Sequence, residues 1–430
     1  MINKIHIRNF KSYSYQVLNL SSLTLMIGAN ASGKSNALEA FRFLSWLSQG
    51  QKLSVLKHNI DDSEQILRGK VKDLGHLGAV SFTIGVSTDD CEWNEFESEI
   101  TLRDNELHIT QEMISSPNES FPLYKIVQAS SGFGTDVRVA YNNFARGGKK
   151  PQVNCTDQIA IINQLVSSVR FESGHKKAQK TIPEVTDKFQ KLLSATLFLD
   201  PIPSLMRGDS DPSKQLRGDC ANLSGVLYML WKDGKIREEI ISFIKSLPEQ
   251  DVIDICFYEN RRGLVSLELI ENFGGVQRAC PAELLSDGTL RVLAIAAALL
   301  SAPEGSTIII EEVDNGVHPS RAKQLLTSMR EQARLRNVRL LLTTHNPALM
   351  DALPDDALGD VVFCYRNKKD GTSQLTRLSD LNDYPGLVSQ GPLGDLVTNG
   401  IVDRFVKSPT TLEDKKTNAL AWLEKMQGDE

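Results

Sequence analysis

The sequence lacks the features of a membrane span, a disulfide framework and a basic nucleic-acid coat. Its longest apolar run, near residues 292–302, is too short to cross a bilayer. Its six cysteines are scattered without a CxxC pair, which argues against a zinc site and favours free thiols in a reducing cytosol. The formal net charge of −6 argues against a general basic coat and leaves room only for a local basic groove.

Other signals that would redirect the interpretation are also missing. The first seven residues alternate like a β-strand and do not resemble a signal peptide. The sequence contains no internal repeat and no low-complexity tract. What it does contain is 430 residues of ordinary composition, 41% hydrophobic and 24% charged, enough to bury a large core. We therefore expect a soluble, cytoplasmic protein with roughly two or three domains or lobes.

The most informative segment is GANASGKS at residues 28–35, which fits the phosphate-binding pattern GxxxxGK[ST]. An apolar strand is predicted before it and a helix over 36–48 after it, which is the geometry that lets loop N–H groups approach phosphates. We expect Lys34 to reach the β- and γ-phosphates and Ser35 to ligate Mg²⁺. The predicted nucleotide-binding residues here are Gly28, Asn30, Ala31, Ser32, Gly33, Lys34, Ser35 and Asn36.

A second motif, IIIEE at 308–312, delivers two acids at the end of a predicted buried strand. Ligands bind at this edge of open α/β sheets. Glu311 is predicted to hold Mg²⁺ through water, and Glu312 to orient or deprotonate the attacking water. If the phosphate-binding loop at 28–35, the P-loop, is left aside, the same residues are more typical of a strand followed by a solvated acidic turn.

Two weaker motifs follow the same logic. Ser286 and Gly288 open a predicted helix whose N-terminal N–H groups can bind an anion, although Ser286 alone is more typical of a helix N-cap. His345 ends a buried strand and could donate a hydrogen bond to a γ-phosphate. By itself it is more typical of an ordinary loop residue.

Alternating apolar residues in the first third predict an antiparallel sheet beside the nucleotide core. A basic loop at 144–150 ends this lobe, and the stretch that follows is predicted to be mainly helical, with helices over 158–169 and 183–193. The predicted strands of the first third are 4–10, 23–27, 79–86, 95–102, 106–112 and 124–129.

The rest of the chain predicts the second half of an α/β core. Residues 307–310 and 339–343 are continuous apolar runs, typical of central parallel strands, and a polar helix over 320–336 joins them. A hairpin is expected from 360–366 and 372–378. Further helices are predicted over 221–232, 236–247, 290–300 and 412–426, and further strands over 252–258 and 264–270.

These elements predict an α/β fold with a mixed sheet core, an antiparallel β lobe and a short helical insertion. The expected division is 1–144 for the P-loop half with the β lobe, 145–195 for the helical insertion, 196–350 for the second core half, and 351–430 for a C-terminal hairpin and helix.

The order of the motifs resembles the ABC-type ATPase heads of the SMC/RecF/OLD class, which implies a P-loop NTPase of that type. The segments at 5–12 and 29–36 resemble this class in particular and not membrane transporters. The segment EEVDNGVHP at 311–319 resembles the Walker B and D-loop region of its compact prokaryotic members, many of which belong to phage-defence or mobile-element systems. The resemblance covers about 1–50 and 196–366.

The resemblance implies a head-to-tail dimer around two ATP molecules. Ser286 and Gly288 of one subunit would contact the γ-phosphate held by the other. Glu312 would be the catalytic carboxylate and His345 the γ-phosphate sensor, while Asp314 would lie in the loop that crosses the dimer interface. The implied cofactors are ATP and Mg²⁺.

Several departures from the class limit the comparison. Position 287 is Asp where many relatives have Gly, and position 311 is Glu where many have Asp, although both variants are usual in the compact branch. The long SMC coiled coil is absent, and the acidic pattern of a Toprim nuclease does not follow His345. We therefore expect an ATPase without its own nuclease; its Q-loop glutamine is not identified.

The expected role is an ATP-driven sensor or switch that acts on nucleic acid or on an effector such as a nuclease or toxin, in phage defence. A RecF-like DNA-repair ATPase and a non-hydrolysing ATP-dependent scaffold are the alternatives. Basic residues could line a DNA or RNA track on a dimer, or could simply form solvated surface. They are Arg146, Lys149, Lys150, Lys176, Lys177, Lys180, Arg207, Lys214 and Arg217.

Overall fold

A computed structural model describes residues 1–57, 66–89, 92–234, 236–245, 252–315 and 319–407. The helix predicted over 412–426, residues 316–318 of the acidic segment and Cys91 lie outside these ranges. Within them, the cysteines are free thiols and no helix is long and apolar enough to span a membrane.

An antiparallel sheet is built from the N-terminal third of the chain. In chain order the strands are β1 (Ile2–Phe10), β2 (Tyr13–Asn19), β3 (Leu23–Ile27), β4 (Ser81–Thr88), β5 (Glu95–Arg103), β6 (Glu106–Ser115), β7 (Tyr124–Gln128), β8 (Asp136–Tyr141) and β9 (Gln152–Thr156). All except β3 join this sheet, in the order β2-β1-β4-β5-β6-β7-β8-β9.

The core sheet gathers strands from both ends of the chain. The remaining strands are β10 (Leu197–Leu199), β11 (Val252–Glu259), β12 (Val265–Phe273), β13 (Val276–Pro281), β14 (Thr307–Ile310), β15 (Arg339–Thr343), β16 (Val362–Arg366) and β17 (Ser373–Arg377). The core order is β10-β14-β15-β3-β16-β17, parallel except for the antiparallel edge strand β17. Strands β11 to β13 form a separate small antiparallel sheet.

Helices cover both faces of the core sheet. In chain order they are α1 (Lys34–Ser48), α2 (Ile161–Gln164), α3 (Lys176–Ser194), α4 (Pro203–Met206), α5 (Leu223–Lys232), α6 (Arg237–Lys245), α7 (Asp287–Ser301), α8 (Pro319–Leu335), α9 (Pro347–Asp351), α10 (Tyr384–Val388), α11 (Leu393–Thr398) and α12 (Ile401–Lys407). The predicted α/β fold with a mixed core sheet and an antiparallel lobe is confirmed.

The core sheet separates two hydrophobic cores, because successive side chains of a strand point to opposite faces. Leu25 and Ile308 belong to one core, whereas their neighbours Met26 and Ile309 belong to the other. Helix α7 packs in the first core and the P-loop helix α1 in the second, together with the inner face of the β lobe. The P-loop helix and the helix that Ser286 opens therefore lie on opposite faces of one sheet.

The prediction of a helix over 158–169 is wrong. Only α2 forms there, followed by a short 3-10 turn, and Val169 is 88% exposed instead of facing a core. The side chain of Gln164 donates hydrogen bonds to the backbone oxygens of Thr156 and Ile159 at 2.8 and 2.7 Å. The amide thus ties this stretch back to the preceding strand, a contact that apolar spacing does not report.

Strands β2, β8, β9, β10 and β13 were not predicted. Four of them, β2, β9, β10 and β13, are edge strands with few buried side chains, so their apolar alternation is weak. Strand β9 pairs with β8, so the stretch expected to be mainly helical begins with a strand of the β lobe.

Candidate active site

A cavity of about 380 Å³ opens at the carboxyl edge of the core sheet. The P-loop between β3 and α1 forms one wall, and the residues that follow β14 and β15 form the other. Two arginines from distant parts of the chain also reach it. The lining residues are Asn30, Ala31, Ser32, Gly33, Lys34, Ser35, Asn36, Arg68, Glu311, Glu312, Thr343, Thr344, His345 and Arg366.

Two P-loop glycines are required by close backbone packing. Gly28 has φ +144°, and a Cβ there would lie 2.1 Å from the carbonyl oxygen of Cys364. Gly33 has φ +121°, and a Cβ there would lie 2.2 Å from the Ser373 hydroxyl oxygen. Side chains at either position would collide with the C-terminal hairpin of β16 and β17, which packs directly against the loop.

Lys34 is folded onto its own loop. Its ammonium donates hydrogen bonds to the backbone oxygens of Gly28 at 2.6 Å and Ala29 at 3.1 Å. Burial lowers the pKa of Lys34 from its ordinary value, opposed by the nearby Glu312 carboxylate. The partly buried ammonium therefore lies at the mouth of the loop, where a phosphate could replace its two carbonyl partners.

Glu311 can accept a cation. Burial raises its pKa above the ordinary value, and the Arg42 guanidinium, 3.6 Å away, opposes that shift. A divalent cation beside Glu311 would likewise favour the charged carboxylate. Mg²⁺ commonly binds one or two protein ligands and completes its shell with phosphate and water, so the Ser35 hydroxyl and the Glu311 carboxylate in one cavity fit this ion.

Glu312 is held in a restricted conformation. Its φ is +48°, a left-handed value that is uncommon for glutamate, and its N–H donates to the Thr343 hydroxyl at 2.9 Å. The Asn315 amide donates to its carboxylate at 2.9 Å, and the nearer ring nitrogen of His345 lies 3.9 Å from the other oxygen. A half-exposed carboxylate fixed in this way at a phosphate site can orient a water molecule.

Gly28 of the P-loop does not line this cavity, and three predicted residues from the second half of the chain lie outside it as well. Ser286 is the N-cap of α7, and its hydroxyl accepts the N–H of Thr289 at 3.1 Å; Gly288 lies in the same first turn. Asp314 accepts a 2.6 Å hydrogen bond from the Thr344 hydroxyl. None of the three lines the cavity that contains the P-loop.

The sequence prediction missed the cations and positioning groups of the site. Arg68 forms an ion pair with the buried Glu39 of α1, and Arg366 donates a 3.1 Å hydrogen bond to the Ala31 backbone oxygen. Asn315 and Thr343 hold Glu312. Asn315 lies within the recognised segment 311–319 and Thr343 ends the predicted strand 339–343, whereas neither arginine belongs to a recognised motif.

Two family models match separate parts of the chain. Residues 1–77 match one described as "AAA ATPase domain". Residues 172–351 match one described as "AAA domain, putative AbiEii toxin, Type IV TA system". The first match contains the P-loop, and the second contains α7, Glu311, Glu312 and His345.

A curated "ATP/GTP phosphatase" of Helicobacter pylori (strain ATCC 700392 / 26695) is 22% identical over 373 residues, covering 86% of this chain and 91% of that protein. Among solved structures, an SMC head bound to the C-winged helix domain of ScpA aligns at 13% identity over 87% of this chain and 96% of that chain, with a TM-score of 0.48. The SMC head domain from Thermotoga maritima aligns at 13% identity over 87% and 98%, with a TM-score of 0.37.

The two ATPase family models, together with the P-loop, the acid pair and His345 that meet in one cavity, show that the protein is an ATPase with a P-loop NTPase fold.

Proposed function

We propose that the protein is an ATP-driven switch whose two catalytic sites are completed by dimerisation. One observation carries the proposal: α7 and α1 pack in different cores on opposite faces of the core sheet. The exposed Ser286 and the N-terminal N–H groups of α7 are therefore turned away from the chain's own P-loop, yet they suit an anion. The γ-phosphate of a nucleotide on a second copy would be such an anion.

Each residue of the cavity then has a role. Lys34 binds the β- and γ-phosphates, and Ser35 and Glu311 hold Mg²⁺, which would neutralise phosphate charge when bound. Glu312 orients or deprotonates the attacking water, and His345 donates to the γ-phosphate. From the partner, Ser286 and Gly288 contact the γ-phosphate, and Asp314 lies in the loop at the interface.

The first test separates nucleotide binding from hydrolysis. Lys34→Ala should abolish ATP binding, because the loop loses its phosphate cation; unchanged ATP affinity would refute the P-loop assignment. Glu312→Gln should bind ATP and remain dimeric in light scattering, with turnover reduced by at least about 10²-fold. Glu331→Gln makes the same change on the exposed side of α8 and should behave like the parent. A Glu312→Gln protein that hydrolyses ATP at the parent rate, or stays monomeric with ATP, would contradict the proposal.

We further propose that the switch controls an effector in phage defence. Residues 172–351 match a family model whose description names a toxin of a toxin–antitoxin system, and this match supports the proposal. Glu312→Gln protein purified in ATP should retain a nuclease or toxin that the Lys34→Ala protein does not. Turnover stimulated by duplex DNA, without such a protein, would favour the RecF-like alternative.

A basic cleft on the β lobe supports nucleic acid as a second partner. This cleft, about 680 Å³ in volume, is lined by Arg146, Lys149, Lys150 and Lys177. Within the described part of the chain no carboxylate forms an ion pair with any of these four. Phe121 and Phe144 also line it, and Lys177 lies 4.2 Å from the centre of the Phe144 ring. Cations interleaved with aromatic rings are typical of single-strand binding.

Two members of the predicted basic track serve other contacts. Arg207 pairs with Asp287 and Arg217 with Asp219, so neither is a free cation.

Lys149→Glu with Lys150→Glu should weaken single-strand binding and flatten its dependence on salt, because phosphate contacts release counterions. Lys214→Glu, an exposed change outside the cleft, is the matched control. Equal effects of both variants would indicate that the cleft is ordinary solvated surface.

A further inference from the structure

Arg366 presents a fixed cation to the nucleotide cavity from the end of β16. Its Nε donates to the Ala31 backbone oxygen at 3.1 Å, and one terminal nitrogen donates to the Gly371 backbone oxygen at 2.8 Å. These two bonds define the guanidinium plane. Among the described residues, the other terminal nitrogen has no hydrogen-bond partner, and the side chain lines the cavity.

Arg366 also lines a second cavity, of about 580 Å³, beside the first. Of the residues that the structure describes, only Asn36, Arg68 and Arg366 line both, so they lie at the junction. Glu312 and His345 belong to the first cavity alone. A nucleotide whose γ-phosphate lies beside Glu312, as the proposed function requires, therefore extends its opposite end toward the junction.

We propose that Arg366 binds the α-phosphate of the bound nucleotide through its unpaired terminal nitrogen. Arginine forms strong charge-assisted hydrogen bonds to phosphate oxygens. Because two backbone carbonyls already hold this guanidinium, little side-chain entropy is lost when the phosphate binds. The C-terminal hairpin thereby supplies a nucleotide contact about 330 positions away from the P-loop along the chain.

This role predicts a specific pattern of nucleotide affinities. ATP and ADP both contain the α-phosphate, so Arg366→Gln should weaken both by a similar factor, about tenfold to a hundredfold. The kcat at saturating ATP should change little, because the contact is the same before and during hydrolysis. Arg366→Lys keeps the charge and should lose less affinity.

The experiment measures the dissociation constants of fluorescent ATP and ADP, and the steady-state kinetics, for Arg366→Gln, Arg366→Lys and Lys369→Gln. Lys369 is an exposed cation of the same hairpin outside both cavities, so it controls for general loss of charge. Parent-like affinity of Arg366→Gln for both nucleotides would overturn the inference. So would a loss for ATP alone, which would place the contact at the γ-phosphate.

A purely structural role for Arg366 has a different signature. If the side chain only braced the Ala31 carbonyl, the distorted P-loop would lower kcat together with affinity, and Arg366→Lys would fail equally. Failure of the proposed function is distinguishable, because Lys34→Ala would then leave ATP affinity unchanged. Loss of binding in Lys34→Ala with parent-like Arg366→Gln would reject the arginine contact alone.

Discussion

At the scale of single residues, side chains hold the P-loop by its carbonyl oxygens. The Tyr13 hydroxyl donates to the oxygen of Gly33 at 3.0 Å, and the Ser373 hydroxyl donates to that of Ser32 at 2.6 Å. Arg366 does the same for Ala31. Since side chains already satisfy these three acceptors, the loop is held in one conformation before a phosphate binds.

The packing of Gly28 leads to a stability prediction. Gly28→Ala should destabilise the fold by more than about 4 kcal/mol and abolish ATP binding, because its Cβ would collide with the Cys364 backbone. Gly371→Ala is the matched control: its φ is +73°, but no atom lies near its Cβ. That change should cost only about 1–2 kcal/mol. Chemical denaturation of both variants checks the difference, and equal losses would show that φ alone matters at Gly28.

The Thr343 hydroxyl, which accepts the N–H of Glu312, leads to a kinetic prediction. Thr343→Val removes the acceptor of the Glu312 N–H, so the carboxylate should lose its position. We expect kcat to fall about tenfold with little change in KM, since the nucleotide contacts remain. Thr24→Val makes the same change in another buried core strand, where the hydroxyl accepts the N–H of Ser21. Steady-state ATPase rates of the two variants test this prediction. Equal kcat values would show that the Thr343 hydroxyl does not position Glu312.

Residues within short motifs could be placed from the sequence, whereas residues brought in by the fold could not. Lys34, Glu311, Glu312 and His345 all line one cavity, as their motifs suggested. Arg366 contacts the loop across 335 positions of chain and belongs to no recognised pattern. A local sequence pattern can predict where a strand ends. Which distant side chain contacts that end depends on the order of strands in the folded sheet.

At the scale of elements, burial explains part of which predictions succeeded, although the edge strand β17 was predicted and the interior strand β8 was not. Strands β3, β14 and β15 are almost wholly buried, and their apolar runs indicated them correctly. Edge strands such as β2 lack that signal. The four-part division of the chain stays a prediction, and β9 shows that the β lobe extends past residue 144.

The link between β6 and α2 predicts a pH dependence of stability. The buried Glu112 carboxyl accepts the N–H groups of Ile161 and Ile162 and the Tyr124 hydroxyl, but burial outweighs these bonds and raises its pKa from 4.5 to about 7. Between those values the folded state keeps a proton that the unfolded chain has released. The free energy of unfolding should therefore fall as pH rises, by about 1.4 kcal/mol per pH unit from this group.

Denaturation at several pH values between about 5 and 7 measures this slope. Glu112→Gln cannot titrate, so the difference between the parent and variant slopes isolates Glu112 from other groups, such as His6, whose lowered pKa acts in the opposite direction. Identical slopes in the two proteins would mean that Glu112 ionises normally in the fold.

At the scale of the whole molecule, the core sheet sets the distance between the two halves of the proposed composite site. The P-loop and Glu312 share one cavity, whereas Ser286 lies outside it at the start of a helix on the other face. In a dimer, changes at Lys34 and Glu312 of the same chain should consequently damage the same catalytic site. Changes at Lys34 and Ser286 of the same chain should damage different sites.

Mixing inactive variants tests this assignment. Lys34→Ala and Ser286→Arg should each be inactive alone, because every site of either homodimer carries a defect. In an equimolar mixture, half of the dimers combine the two chains, and each has one site with an intact P-loop and an intact partner helix. ATPase activity should recover to about a quarter of the parent value if the sites act independently. A mixture of Lys34→Ala with Glu312→Gln should recover nothing, since both defects fall in the same cavity and no site escapes both. Recovery in both mixtures, or in neither, would contradict a head-to-tail dimer in which Ser286 completes the partner's site.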